Sequence, residues 1–465
     1  MLGSPWLKDG KIRHRLALAV LANLCASSQL SGLTVGAAWL PDLLGLPPQA
    51  PGWFLGAFLL GALCTAPLAG FIVARLGPRQ TLWYGLLLSL ICNLLLAAEP
   101  GLVPELLGIF LLGAVLAPLP PSTQAMIDED FPDDPGLRGL STTLWSCGTT
   151  AGALWGALAG GMALDRWGWI GLCLLSVPTA GTALVLLSKL PFSQREAPAT
   201  TCWRQLVLLP LIFASAGLVV NAGPELGWFH SAGIRIAAVA CSVAILLFVQ
   251  ANRKAPEAVL DFRLASHRSL GWAIFLALGV AAFSTGQLET LFLGAIDNYT
   301  SRDLGIRGGL GGLALVCGSA TGGWLASRLG YMKGASVGLL VLCLGKCGFL
   351  FYRPEISLWQ AFWPAIVSSV GYGILGTTIS LLAFSDPRCR GAGAAGLLYL
   401  AWQFGDAFGL PLLMALYQHQ DPVRGAVGAY QLVFRIELLA TVALGLLCAA
   451  AARKFPSEDS ASLAP

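Results

Sequence analysis

GFIVARLGPRQ, at residues 70–80, returns later in this chain as GWLASRLGYMK, at residues 323–333. Both copies keep a glycine that is followed five residues later by Arg-Leu-Gly. Each copy lies between two long apolar segments. A helix–loop–helix unit that recurs about half a chain away indicates a duplicated bundle of membrane helices, which is a common construction for a transporter.

The repeated loop has residues suited to a gate. Glycine allows two helices to turn sharply and approach closely, and arginine can bond the last carbonyls of a helix or pair with an acid on a neighbouring helix. The simpler alternative is a basic turn at the cytoplasmic surface. The gate residues that we predict are Gly70, Arg75, Gly77, Arg79, Gly323, Arg328 and Gly330.

The composition of the chain indicates a membrane protein. Of 465 residues, 56% are hydrophobic and only 11% are charged, with a mean hydropathy of +0.72, whereas soluble proteins carry about 25% charged residues. Water cannot be the main solvent of so apolar a chain, so lipid must be. The net charge of +4 is spread over the loops, which argues against a nucleic-acid partner.

The apolar segments predict an all-α integral membrane protein with fourteen transmembrane helices, because a span needs about 20 apolar residues. We expect two six-helix bundles, at residues 1–192 and 264–454. A linker and two inserted helices occupy residues 193–263, and a disordered tail occupies residues 455–465.

The distribution of basic residues predicts the orientation. If the polar N-terminal segment is cytoplasmic and the spans alternate, most of the 28 Lys and Arg residues fall on cytoplasmic segments. This bias is the one that cytoplasmic loops show. It places both termini and both repeated loops in the cytoplasm, and the protein in the inner membrane.

Cysteines and histidines predict no cofactor. The 12 cysteines lie mostly inside apolar segments without a CxxC pair, so we interpret them as small buried side chains rather than as a disulfide framework. The four histidines fall at helix ends or in loops. We therefore predict neither a metal site nor another cofactor.

Polar side chains inside the predicted spans are the candidates for proton coupling or substrate binding, because burial in lipid is costly. A low dielectric favours the neutral form of a carboxyl group, which can then exchange a proton, and an ionised one can pair with a cationic substrate. The alternative is a structural ion pair, for example between a lysine and an acid of another helix. The candidates are Glu289, Asp406, Lys346, Gln287, Gln403 and Glu437.

The fifth predicted span carries a series of glycines at intervals of four residues, which places them on one helix face and allows close approach of another helix. Either this face is tightly packed, or it is a sliding seam between the two halves. The residues are Gly148, Gly152, Gly156 and Gly160, with Gly161 beside the last.

An acidic segment, DEDFPDD, follows the fourth span at residues 128–134. It lies on the side that is otherwise basic, so it can pair with Arg75 and Arg79 of the first repeated loop. The alternative is a solvated run of charges.

These segments together resemble a known family. The repeated loop is similar to the GxxxDRxGRR motif of the major facilitator superfamily. Further segments resemble the fourteen-helix drug:proton antiporters of the EmrB/QacA type, at residues 38–60, 121–127, 156–178, 224–236 and 390–409. The resemblance implies alternating access, a small-molecule substrate, protons as the coupling ion and the lipid bilayer as surroundings. Some members of that family work with a periplasmic adaptor protein, which is left open here.

Several charged positions of that family are occupied differently in this chain. The aspartate of the loop motif falls on Ala74 in the first copy and on Ser327 in the second. The aspartate of helix one falls near Gly32, the arginine of helix four near Ile109, and the proline of helix five on Ala157. The scaffold of the family is thus kept, while several of its charges are absent.

The sequence therefore predicts a multi-pass secondary transporter that exports small organic or amphipathic compounds, a multidrug-efflux antiporter driven by protons. A uniporter or an importer of one metabolite is the alternative that the absent charges favour. A non-transporting sensor or assembly partner fits less well, since the loops are short. No nucleophile–base set, phosphate loop or Walker motif suggests an enzyme or an ATP-driven pump.

Overall fold

A computed structural model describes residues 10–36, 50–98, 101–130, 135–190, 203–223, 226–254, 259–260, 262–283, 286–296, 299–389 and 391–453. The described residues are helices and short turns, without a β-strand. In chain order the helices are α1 (Gly10–Gly36), α2 (Ala50–Leu76), α3 (Pro78–Leu96), α4 (Leu102–Leu116), α5 (Leu119–Asp130), α6 (Pro135–Cys173), α7 (Val177–Leu187), α8 (Trp203–Ala222), α9 (Ala232–Lys254), α10 (Arg268–Phe283), α11 (Gly286–Ile296), α12 (Ser301–Leu329), α13 (Tyr331–Phe349), α14 (Leu358–Ala383) and α15 (Ala392–Ala452).

Within the described ranges, twelve helical segments are long and apolar enough to cross a membrane. This confirms an all-helical architecture of membrane type, while the count of twelve does not reach the fourteen spans predicted from the sequence. Two of the twelve are unusually long, at 49 and 61 residues. Each of these contains a glycine with non-helical backbone angles, Gly168 (φ 60°) in α6 and Gly425 (φ 71°) in α15.

The two repeated loops fold into the same turn. Gly77 has φ 87° and ψ 150°, and Gly330 has φ 84° and ψ 162°, a region that side chains with a Cβ rarely adopt. The N–H of Gly77 donates to the carbonyl of Val73 at 2.9 Å, and that of Gly330 donates to Ala326 at 3.0 Å. The repeat is therefore structural, and glycine is required at the same position in both copies.

The glycines of the fifth span pack inside the first half of the chain. Four of them meet successive turns of α1, and a Cβ added to any of these four would lie 3.1 Å or less from an atom of α1. The pairs are Gly148 with Val20, Gly152 with Leu24, Gly156 with Ser28, and Gly160 with Gly32. The interpretation of these four glycines as a seam between the halves is thus wrong, because α1 belongs to the same half; tight packing describes them.

Two other helix pairs join the halves. In the first seam, α6 meets α12. The glycines of α12 that lie against the α6 backbone or side chains are Gly305, Gly308, Gly309, Gly312 and Gly323. Gly161 belongs to this seam, since its Cα would lie 3.4 Å from a Cβ on Gly305. In the second seam, α2 meets α15, and a Cβ on Gly396 would lie 2.8 Å from the backbone N of Gly70.

Helices α8 and α9 lie outside the second seam. A Cβ on Gly217 of α8 would lie 2.7 Å from Leu60 of α2, and the side-chain amide of Asn221 donates to the carbonyl of Ala407 in α15 at 3.3 Å. The outer helix α9 packs mainly on α8 and exposes most of its apolar side chains. Helix α8, with α9 packed on its outer side, therefore covers the α2–α15 seam.

Some predicted features lie outside the described residues. They are the N-terminal segment 1–9, the linker part 191–202 and the tail 455–465. The resemblance segments at 38–60 and 224–236 are described only in part, as is the acidic segment, of which residues 131–134 are outside.

Candidate functional site: a polar cavity between the halves

A cavity of about 280 Å³ lies where the two halves meet. Helices α1 and α6 line it from the first half, and α11, α12, α14 and α15 line it from the second. Its polar or charged lining comes from Ser31, Thr34, Glu289, Thr290, Arg307, Ser369 and Asp406. The structure thus brings two of the predicted candidates, Glu289 and Asp406, to one cavity.

Glu289 is held by an arginine of the next helix. The Nη2 of Arg307 in α12 donates to Oε2 of Glu289 in α11 at 2.8 Å, and both side chains are almost completely buried. The Nη1 of Arg307 also reaches Thr290 Oγ1 at 3.5 Å, while its Nε has no hydrogen-bond partner among the described residues. A buried ion pair of this kind leaves the cavity wall polar but contributes no net charge.

Lys346 forms the second buried ion pair. Its Nζ lies 2.8 Å from Oε2 of Glu437 in α15 and donates to the carbonyl of Phe283 at 2.7 Å. The two side chains are 2% and 1% exposed. The alternative interpretation of Lys346, a structural pair with an acid of another helix, is therefore confirmed, with Glu437 as the partner.

Asp406 differs from the other two acids. It lines the cavity from the part of α15 that precedes the break at Gly425. Tyr372 and Tyr399 lie near it. Among the side chains that the structure describes, no hydrogen-bond donor or cation pairs with its carboxyl group. Ionisation of Asp406 therefore adds a negative charge to the cavity that no described cation neutralises.

A second cavity of about 200 Å³ adjoins the first. The two share Gly286, Glu289, Leu315 and Ser369, and Lys346 lines only the second. Glu289 thus stands between a space that contains Arg307 and a space that contains Lys346. A carboxylate in this position can change partner if α11 or α12 moves.

The two glutamine candidates are placed less centrally. Gln403 lies one turn before Asp406 and beside Tyr399, and it is absent from the lining of both cavities described above. Gln287 lies in α11, but its side chain is outside the described part of the chain. Their roles stay predictions.

The bundle is closed at the end that carries the repeated loops, which we name the loop end. There Gly70 packs on Ala392 and Gly323 on Thr143 of the opposite half, and the Thr377 hydroxyl donates to Ser146 at 2.9 Å. The cavity lies farther along the helices from this end. On α12 its last lining residue, Leu315, is eight residues or about 12 Å before Gly323.

Charged groups reinforce the loop end. Asp130 accepts from Arg79 at 3.2 Å and from Arg15 at 2.8 Å. Of the two alternatives left open for the acidic segment, Asp130 thus shows the pairing with Arg79. This network joins elements of the first half only. A further link across the halves, beside the Thr377–Ser146 hydrogen bond, comes from Asp128, whose Oδ2 accepts from the N–H of Gly391 at 3.0 Å.

The fold, the duplicated turn and the cavity between the halves agree with the comparison to known families, in which residues 19–410 match the Major Facilitator Superfamily. The chain belongs to this superfamily. It is therefore a multi-pass membrane protein of a transporter family, whose members bind small molecules and are driven by ion gradients.

Similar proteins are named for drug efflux. The colistin resistance protein EmrB of Acinetobacter baumannii is 22% identical over 78% of this chain and 71% of its own length. The cephamycin export protein CmcT of Amycolatopsis lactamdurans is 26% identical over 86% and 84%, and the quinolone resistance protein NorB of Staphylococcus aureus is 26% identical over 78% of each. The human organic anion transporter MFSD10 (TETRAN) shares the fold, with a TM-score of 0.62 at 16% identity over 92% of this chain and 98% of its own.

Sequence reasoning missed two parts of the site. Arg307 is not among the predicted candidates, yet α12 begins at Ser301, so that Arg307 lies nearly two turns inside the helix. The glycines of α12 were also overlooked, although GIRGGLGG at residues 305–312 is visible in the sequence. A search for small residues at helical spacing along this span would have found the first seam.

Proposed function

We propose that this protein is a secondary transporter that exports small organic or amphipathic compounds by alternating access, driven by the proton gradient. The names of its relatives support export, and the cavity between the halves supports a small-molecule site. We place the loop end in the cytoplasm of an inner-membrane protein, with both termini on that side, because basic residues concentrate there. A periplasmic adaptor stays a prediction of the resemblance.

The proposal includes fourteen spans. A helix of 61 residues would be about 92 Å long, three times the hydrocarbon thickness of a bilayer. Both overlong segments break at a glycine with positive φ, Gly168 or Gly425. If each break is a turn at the membrane surface, the twelve segments become fourteen, and the two bundles at 1–192 and 264–454 flank the inserted pair at 193–263.

The observation that carries proton coupling is the charge balance of the cavity. Glu289 with Arg307 is neutral, and Lys346 with Glu437 is neutral, so Asp406 alone among the described cavity acids lacks a cationic partner. A proton or a cationic substrate group can neutralise it, but not both together. Such competition at one carboxylate couples substrate release to proton binding.

The other charged residues take supporting roles in this proposal. Glu289 and Arg307 connect α11 to α12 beside the cavity, so their ion pair can form and break as the halves rock. Lys346 and Glu437 connect α13 to α15 deep in the second half and hold its helices in register. Removing one partner of a buried pair typically costs about 3–5 kcal/mol, so these residues are poor probes of coupling.

The test compares Asp406→Asn with a matched surface variant in proteoliposomes. We expect the native chain to move a transported compound, selected from a panel of lipophilic cations and organic acids, in response to a pH gradient. Asp406→Asn removes the ionisable group and should abolish this response while counterflow of the same compound persists. Asp165→Asn, an exposed aspartate, is the control and should behave as the native chain does. Gradient-driven flux that persists in Asp406→Asn would contradict the assignment.

A uniporter or an importer of a specific metabolite is the second candidate. The observation that favours it is the loss of family charges, since Ala74 and Ser327 occupy the aspartate positions of the two loops, and buried Ile109 occupies the arginine position. Counterflow in the native chain that ignores the pH gradient would support this candidate.

A further inference from the structure

Three metal-binding residue types meet at the loop end, away from the cavity. They are His267, Asp386 and Cys389, whose ligand atoms all lie within 4.8 Å of one another. Nδ1 of His267 and Oδ2 of Asp386 are 3.6 Å apart. The sequence predicts no metal site from its histidines, which fall at helix ends or in loops, or from its cysteines, which form no CxxC pair. The fold brings one of each together with an aspartate.

Local backbone structure fixes the positions of these side chains. His267 lies between a short 3₁₀ turn (Phe262–Ser266) and the start of α10, and its N–H donates to the carbonyl of Leu264 at 3.1 Å. Asp386 and Cys389 belong to the turn between α14 and α15. There the N–H of Cys389 donates to the Asp386 carbonyl at 2.9 Å, and the N–H of Arg388 donates to Oδ1 of Asp386 at 2.9 Å. The second carboxylate oxygen, Oδ2, therefore stays directed at His267.

The spacing suits a tetrahedral cation. Zinc binds imidazole nitrogen and carboxylate oxygen at about 2.0–2.2 Å and thiolate sulfur at about 2.3 Å, so neighbouring ligands of a tetrahedral site lie roughly 3.3–3.8 Å apart. The observed 3.6 Å between nitrogen and oxygen falls in this interval, and a small rotation of the side chains brings all three ligands to one centre. His267 and Asp386 are 29% and 33% exposed, which gives a metal ion access from water.

A serine hydroxyl lies beside the same three side chains. The hydroxyl oxygen of Ser269 is buried and lies within hydrogen-bonding reach of the Cys389 thiol. A hydroxyl group there can donate to a bound thiolate or to a water molecule in the fourth position. Ligands of zinc are commonly supported by such outer partners.

We propose that His267, Asp386 and Cys389 form a binding site for a borderline divalent metal ion of the Zn²⁺ class, with a fourth position open to water. The mixed nitrogen, sulfur and oxygen donors exclude Mg²⁺ and Ca²⁺, which require oxygen ligands. The exposed Arg388 and Arg268 nearby disfavour any cation held by charge alone. A thiolate bond overcomes this repulsion for transition metals only.

The position of the site gives the metal a structural consequence. Gly391, two residues after Cys389, makes the contact with Asp128 of the opposite half. A metal ion that fixes the turn from Asp386 to Cys389 therefore stabilises the arrangement in which the loop end is closed. Bound metal should slow any transport step that requires this end to open.

The binding experiment uses the purified full-length protein in detergent, with any affinity tag removed. Zn²⁺ is titrated in competition with a chromophoric chelator, and Co²⁺ is used separately because a cobalt–thiolate bond gives a charge-transfer absorption. We expect the native chain to bind Zn²⁺ at a site that Mg²⁺ does not compete for. Cys389→Ser and His267→Ala should each weaken binding at least ~10-fold, the loss that even an outer partner of a ligand can cause.

Matched controls use the same residue types at exposed positions. Cys347→Ser and His419→Ala should retain the native affinity and the cobalt–thiolate band. Melting temperature is the second measurement: Zn²⁺ should raise it in the native chain and in both controls, but not in Cys389→Ser or Asp386→Asn. If Cys389→Ser does not fold, the proposal is tested by the cobalt–thiolate absorption instead. This absorption should appear in the native chain and be lost in His267→Ala. An unchanged affinity in both site variants, or no competitive binding by the native chain, would overturn the proposal.

Discussion

The two seams between the halves are built differently. The α6–α12 seam extends from Gly305 to Gly323, about 27 Å along the helix. The α12 glycines that meet α6 are Gly305, Gly308, Gly309 and Gly312, followed after a gap by Gly323. The α2–α15 seam has close backbone contacts at the loop end, where Gly70 meets Ala392 and Gly396, and α8 covers the seam from outside. The α6–α12 seam is thus a long contact between two helices, whereas the α2–α15 seam is a localised contact that a third helix, α8, supports from outside.

This difference indicates how the halves are held in the described arrangement. Close approach along a whole helix needs small residues at every turn, since in lipid there is no hydrophobic drive between helices and packing must supply the attraction. A contact limited to one end needs only a few small residues. The first seam should therefore be the more sensitive to enlargement of a side chain, and the second should act as the contact that separates when the loop end opens.

The largest effect is expected from Gly312→Leu in the first seam. A Cβ at this position would lie 2.4 Å from Cα of Leu154, so α12 must move away from α6. We expect a loss of at least about 1–3 kcal/mol in stability, measured as a lower melting temperature, and loss of transport. Gly56→Leu is the control, because a Cβ on Gly56 meets nothing within 4 Å. Native stability in Gly312→Leu would mean that the seam is not tightly packed.

An intermediate effect is expected from Gly396→Ala in the second seam. The added methyl group would lie 2.8 Å from the backbone N of Gly70, so it loosens the loop end while the α6–α12 contact remains. We expect a stability loss of about 1 kcal/mol. We also expect the cysteine of Trp402→Cys, which lines a small cavity near this contact, to react faster with a thiol reagent when Gly396→Ala is present than when it is absent. Gly139→Ala, with nothing near its Cβ, should leave both unchanged. Equal losses in Gly312→Leu and Gly396→Ala would remove the distinction between the seams.

The smallest effect is expected from Asn221→Ala on α8. This change removes the hydrogen bond to the carbonyl of Ala407, which is worth about 0.5–1.5 kcal/mol at most. Since α8 covers the second seam without belonging to it, transport should stay within a factor of two or so of native. Ser242→Ala on the exposed face of α9 is the control. Complete loss of transport in Asn221→Ala would show that the inserted pair takes part in the closing contact.

Local sequence patterns were reliable where the chain interacts with itself over short distances. The turn at Gly77 and Gly330 follows from a glycine between two apolar runs, and the structure shows the same backbone angles in both. The fifth-span glycines were recognised as a close-packing face, but their partner was wrong. Spacing of four residues fixes which residues share a face, whereas the helix that meets this face depends on the arrangement of the bundle.

The charged candidates show the same limit. Lys346 and Glu437 were both identified as costly residues inside spans, and one stated alternative for Lys346 was a pair with an acid of another helix. The choice of Glu437, rather than Glu289 or Asp406, required the packing of α13 against α15. Arg307 was missed because its pairing with Glu289 depends on how α12 packs beside α11.

The sequence by itself determined that this protein is a helical membrane protein of duplicated construction, because composition, helix length and the repeated turn each follow from local chemistry and from the solvent. The tertiary structure alone decided which glycines join the halves, which acids are paired, and that His267, Asp386 and Cys389 meet. These are contacts between segments far apart in the chain, and their geometry is set by helix packing, which no short stretch of sequence contains.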